Sequence, residues 1–176
     1  NITGAYNVAL GSETLDANTT ASLNTAIGYA ALTANTTGSD NVAVGAGALG
    51  TNTTAANNTA VGRAALNANT TGDNNTALGF ESLAANTTVE NLTAVGYQSL
   101  KANTTGTKNT ALGRQGLVAN TTGTSNTSVG YKALSTNIEG ANNVAVGDDA
   151  LSVNLASSNT AVGSRSLIAN TTGASN

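Results

Sequence analysis

Cysteine, histidine, methionine, tryptophan and proline are all missing from this chain. Without His or Cys there is no imidazole base, no thiolate nucleophile and no soft metal ligand, which removes most of the chemistry enzymes rely on. No other constellation pairs a nucleophile with its base, so the sequence reads as that of a non-enzyme with no cofactor and no metal site. Charge is equally sparse. Nine acidic residues against six basic ones leave a net charge of −3, which offers no basic footprint to nucleic acid or to an anionic membrane surface. No apolar run approaches the length of a membrane span, so no membrane insertion is expected. A chain with no initiating Met reads as processed or as part of something longer.

What is present is one sentence said repeatedly. "NTALGFESLAANTTVEN" (75–91) is followed by "LTAVGYQSLKANTTGTK" (92–108), and words of the form "NTAVG" begin at Asn7, Asn24, Asn41, Asn58, Asn75, Leu92, Asn109, Asn126, Asn143 and Asn159. The step is seventeen residues except for a single sixteen before the last. A fixed period in this range marks a solenoid, propeller or array. With the places in each repeat counted one to seventeen, place five is always Gly, place nine always Leu and place twelve always Asn. Place four is always Leu, Ile or Val, and places three, eight and eleven are nearly always small. Fourteen of the fifteen charged residues fall on places six, seven, ten, sixteen and seventeen, which therefore face water; Glu139 is the exception.

The alternation in "NTAVG" is the period of a half-buried strand, and Gly-rich or variable places separate such stretches as turns. A helix would have poor propensity and no adequate apolar stripe. The expected fold is all-β: a parallel β-solenoid of about ten seventeen-residue coils, with two short strands per coil at places one to five and eight to fourteen. Residues 1–176 form a single array, with a partial coil over 1–6. Coils stacked at one strand spacing of ~4.8 Å make a rod of roughly 48 Å. A column of Asn at place twelve can hydrogen-bond amide to amide along the rod, and Gly at place five permits a backbone angle or a close approach that a side chain forbids.

If places two and four point inward with Leu at place nine, then places one, three and five form an outward face of Asn, Ala and Gly with hardly a charge. Such a face suits packing against another chain, which puts Ala77, Ala94 and Ala111 at an inter-chain contact. The competing reading reverses the alternation and lets the small residues line a narrow single-chain core.

The words "NTAVGRAALNANTTGDN" and "NTALGRQGLVANTTGTS" resemble the repeats of phage and bacterial tail-fibre proteins that end in a self-cleaving chaperone domain. The "NVAVG" form at 41–45 and 143–147 is similar to the head repeat of trimeric autotransporter adhesins, although the period of seventeen is longer. The resemblance implies a fibrous, trimeric surface or virion appendage with a left-handed parallel β-roll as its stalk.

N-glycosylation sequons recur at Asn18, Asn35, Asn52, Asn69, Asn86, Asn103, Asn120 and Asn170 in the "NTT" words, at Asn1, and elsewhere at Asn57, Asn74, Asn91 and Asn126. Read functionally they describe a glycosylated surface fibre; read structurally they are by-products of Asn and Thr ladders. Parity sets place twelve outward beside the charged place ten. The Thr columns at places thirteen and fourteen raise ice binding, but adjacent Thr residues point to opposite faces. Tyr29, Phe80, Tyr97 and Tyr131 share place six, where exposed rings can stack on sugars or cover the turns above and below. Asp148 and Asp149 read as solvated charge rather than a calcium site.

The leading functional expectation is therefore a structural stalk or spacer in an extracellular, cell-surface or virion fibre, with itself as partner in a homo-oligomer, a trimer or a head-to-tail filament. An adhesin surface that binds glycans or a receptor is the alternative, and an ice-binding solenoid the next. "NITGAY" (1–6) and "NTTGAS" (170–175) share one phase, from which a tile of a continuous fibre is expected.

Overall fold

A computed structural model describes residues 2–176. Each "NTAVG" word contributes one three-residue strand: β1 (Val8–Leu10), β2 (Thr25–Ile27), β3 (Val42–Val44), β4 (Thr59–Val61), β5 (Thr76–Leu78), β6 (Thr93–Val95), β7 (Thr110–Leu112), β8 (Thr127–Val129), β9 (Val144–Val146) and β10 (Thr160–Val162). The ten strands make one parallel sheet in sequence order. Register advances by one repeat, so that Ala26 lies against Ala43 and Ala60 against Ala77. The chain is an all-β parallel solenoid with no helix among the described residues.

The second expected strand, at places eight to fourteen, is not formed. Two tight turns take its place: Ala31 donates its N–H back to Gly28 (3.3 Å) and Asn35 donates to Leu32 (3.2 Å), and the pattern recurs in other coils. The cause is the backbone of the Leu at place nine, whose φ lies between 47° and 53° in all ten coils, with place seven left-handed as well. That conformation is incompatible with an extended strand. It costs an L-residue about 1–2 kcal/mol, while full burial of a Leu side chain returns about 1.5–3 kcal/mol. Leu32, Leu49, Leu66, Leu83, Leu100 and Leu117 are all completely buried.

The alternation also runs opposite to the first expectation. Place three points inward, and places two and four lie half-exposed on the outside of the sheet. Ala77, Ala94 and Ala111 are therefore not an inter-chain face: each has no exposed surface and belongs to the core. The physical reason is width. A coil whose interior already holds Leu at place nine and Asn at two corners has room for a methyl group opposite, not for a Val or Leu. The small residues line a narrow single-chain core.

Backbone hydrogen bonds run along the rod. In the second coil Thr25, Leu32, Ala34, Thr36 and Thr37 donate to carbonyls of the third, while Gly28, Ala30 and Asp40 donate to the first. A coil thus satisfies most of its polar groups only through its neighbours, which is why single coils do not fold alone. Gly at place five meets both demands inferred for it. Gly45 has φ 130°, and a Cβ there would sit 2.6 Å from the carbonyl carbon of Gly62 in the next coil.

Candidate functional site

Two columns of Asn run inside the rod. At place twelve, the Asn52 amide donates to Asn35 Oδ1 in the preceding coil (2.9 Å) and to the Ala55 carbonyl in its own (3.0 Å). Asn69, Asn86, Asn120 and Asn137 repeat this pair of bonds. The second column, at place one, escaped the sequence reading. Asn41 donates its side-chain amide to the same Ala55 carbonyl (2.9 Å), and its backbone N–H donates to Asn24 Oδ1 (2.9 Å). In all coils but the one beginning at Leu92, one carbonyl therefore accepts from both columns and ties the sheet to the opposite corner. The available signal was Asn at place one in nine of ten coils, hidden by the wrong sense of alternation.

These columns correct the glycosylation expectation. Asn18, Asn35, Asn52, Asn69, Asn86, Asn103 and Asn120 are buried, and half-buried Asn170 donates to Asn154 Oδ1 and to the Gly173 carbonyl. Place twelve lies inside because turns replace the strand from which parity was counted, and the folded chain presents none of these amides for glycosyl transfer. Asn126 is buried too, whereas Asn57, Asn74 and Asn91 are exposed at place seventeen; Asn1 lies outside the described residues.

The ladders are interrupted at three places, the first being the Asn58 side-chain amide, whose Nδ2 is buried and donates to nothing. Leu92 replaces Asn at place one and accompanies Val89, which stands where other coils carry Gly, Ala or Ser; both are buried in the core cluster. Leu92 still donates its N–H to Asn75 Oδ1 (2.9 Å) but has no amide to continue the column. In the same coil pair Asn86 Oδ1 is left without a donor. The other unpaired acceptor is Asn137 Oδ1, next to the sixteen-residue coil.

On the surface, place six forms a stacked column. Arg63 lies over Phe80 (5.6 Å), Phe80 stacks on Tyr97 (5.4 Å between centroids, 13° between planes), and Arg114 lies over Tyr97 and over Tyr131 (5.4 and 5.5 Å). The faces of Phe80 and Tyr97 are thus occupied by neighbouring coils rather than open to a sugar ring. Beside it Glu81 pairs with Lys101 (2.6 Å) and accepts from Gln98 (2.9 Å), which accepts in turn from Gln115 (3.3 Å). The Lys101 hydrogen bond, then that of Gln98, lowers the Glu81 carboxyl below its ordinary range. Tyr29 is shifted upward by its hydrogen bond to Glu13. The fourteen charged residues at places six, seven, ten, sixteen and seventeen are exposed or half-exposed, as expected, and Glu139 at its irregular place is exposed as well.

The Thr hydroxyls at place thirteen are turned along the axis. Thr19, Thr36, Thr53 and Thr70 donate to the carbonyls of Thr36, Thr53, Thr70 and Thr87 at 3.0–3.1 Å. The rank at place fourteen is exposed in every coil that has it, whereas at place thirteen only Thr87, Thr104 and Thr171 are. No cluster of His, Cys, Asp and Glu able to hold a metal occurs among the described residues, and no helix there is long and apolar enough to cross a membrane.

The geometry defines a β-solenoid repeat protein held together by stacked Asn side-chain ladders. Comparison with protein-family models, curated proteins and solved structures gave no match, so the likeness to tail-fibre and adhesin repeats rests on the repeat words themselves.

Proposed function

We propose that the chain is a structural segment of a surface or virion fibre, a non-enzymatic stalk or spacer that associates with copies of itself. The observation that supports this most is that nearly every coil makes the same bonds to the next, so the array sets length and stiffness without reserving any coil for chemistry. A side-by-side contact is supported by the outer sheet face. Places two and four present Thr or Val and Val, Leu or Ile along all ten strands, half-exposed or exposed and without one charged residue. A second copy has the same axial repeat and can match such a ridge coil for coil, which a surface of other periodicity cannot. The uncharged face also brings no like charges together, whereas the charged corners would. The trimer is the state implied by the repeat resemblance. The occupied faces of Phe80, Tyr97 and Tyr131 give the glycan-binding alternative less support, although Tyr29 stands exposed.

The test replaces Leu78, Val95 and Leu112 together with Glu. All three sit outside the core, so sedimentation should show loss of association with a nearly unchanged circular dichroism spectrum. An identical sedimentation coefficient before and after would reject this face as the contact.

A further inference from the structure

The one sixteen-residue coil loses its residue at the corner after Asn154. There the Asn154 amide reaches the carbonyl of Ala156, two residues on (2.7 Å), where Asn52 reaches three residues on. The shortened corner no longer meets the one before it. Thr36 and Thr37 both donate backbone N–H to Thr53, and Thr53 and Thr54 to Thr70, but Ile138 and Glu139 make no such bond to Leu155. Asn137 Oδ1, in a fully buried residue, accepts nothing. The split is local, because Thr136 N–H reaches the Ser152 carbonyl (3.1 Å) on one side and Ala141 N–H reaches Ser157 Oγ (2.9 Å) on the other. A cleft of about 200 Å³ opens there, lined by Ile138, Glu139 and Leu155.

Its lining differs from every other corner. Eight coils carry Thr-Thr at places thirteen and fourteen; of the other two, one carries Ile138-Glu139 and the shortened one only Leu155 before its corner carbonyl at Ala156. Ile138 and Leu155 are 46% and 55% exposed, and Val153 is exposed as well. The seam at Asn86 is the internal contrast. Thr87 and Thr88 there lack the same bonds to Thr104, yet the lining is hydroxylic and Val89 and Leu92 fill the interior. Lost rungs alone do not make an apolar cleft.

We propose that this cleft binds an extended peptide segment carrying an aliphatic side chain beside a Lys or Arg. The freed N–H groups of Ile138 and Glu139 and the freed carbonyl of Leu155 are backbone groups left unpaired between closed rungs, and a peptide main chain lying along the cleft from the solvent side supplies partners for them. Ile138 and Leu155 form the walls for the aliphatic side chain. Glu139 is the one charged residue outside the five regular charged places, and no cation of the described chain pairs with it, so it meets the cationic residue of the peptide. The site is complete within one chain and does not depend on the fibre reading.

The experiment titrates the full chain into a fluorescein-labelled, acetylated pentapeptide of alternating Val and Lys, and into its counterpart with Glu for Lys, by fluorescence anisotropy. The Val-Lys peptide should bind saturably at one site per chain, with the Val-Glu peptide at least about tenfold weaker. The double substitution Ile138→Thr/Leu155→Thr, which restores the residue of the other corners, should weaken binding by about tenfold or more. Glu139→Gln should abolish the preference for Lys over Glu. Should the double variant be unfolded by circular dichroism, Glu139→Gln decides, and an unchanged preference overturns the proposal. Absence of saturable binding, several equivalent sites per chain, or full binding by a folded double variant would also overturn it.

Discussion

At the scale of single residues, the invariant positions are explained by three different costs. Gly at place five is held by backbone proximity, Leu at place nine by burial in a left-handed turn, and Asn at place twelve by amide bonds along the axis. The first and last of these could be read from invariance alone. The left-handed Leu could not, because nothing in Leu's chemistry announces that conformation, and missing it misplaced Asn18 through Asn170. Asn52→Leu should be strongly destabilising, since it strands the Asn35 Oδ1 acceptor in the core and unpaired buried groups cost about 1–3 kcal/mol each; chemical denaturation measures the loss. Glu81 provides a pH test. Its folded value lies below the ordinary 4.5, so the Lys101 and Gln98 contacts add stability above the ordinary range and lose it as pH falls through the lower folded value. The melting temperature of wild type should therefore drop toward that of Glu81→Gln on acidification, and a constant gap across the titration would count against the pairing.

At the scale of the element, each coil is one short strand and a chain of turns. The strand was legible because "NTAVG" alternates, but alternation does not say which parity faces inward, and here the narrow interior chose Ala over Val. Ala77, Ala94 and Ala111 lie inside for that reason, and of the expected inner stripe only the Leu at place nine, Leu83 and Leu100 among them, is buried. Coils also differ in how well their corners close. Thr87, Thr88, Ile138 and Glu139 lack the rungs that Thr36, Thr37, Thr53 and Thr54 possess. Their amides should exchange hydrogen markedly faster than those of the closed corners, because local opening there breaks fewer bonds. Equal protection at all corners, measured by amide exchange, would contradict the two open seams.

At the scale of the whole molecule, the seventeen-residue period narrows the fold to a solenoid, propeller or array, and the separation of charged from apolar places within it selects the solenoid. Association was not legible in the same way: the outward face depends on strand parity, and the half-exposed ridge at places two and four became visible only once the sheet was placed. The central claim is a stiff rod that lies against copies of itself along that ridge. Small-angle X-ray scattering of the chain in solution tests it most directly, because length and mass per unit length are obtained together. Ten coils at ~4.8 Å each should give a rod of about 48 Å whose mass per length is a whole-number multiple, two or more, of that of a single chain. A compact particle, or a rod with the mass per length of one chain at every concentration, would contradict it.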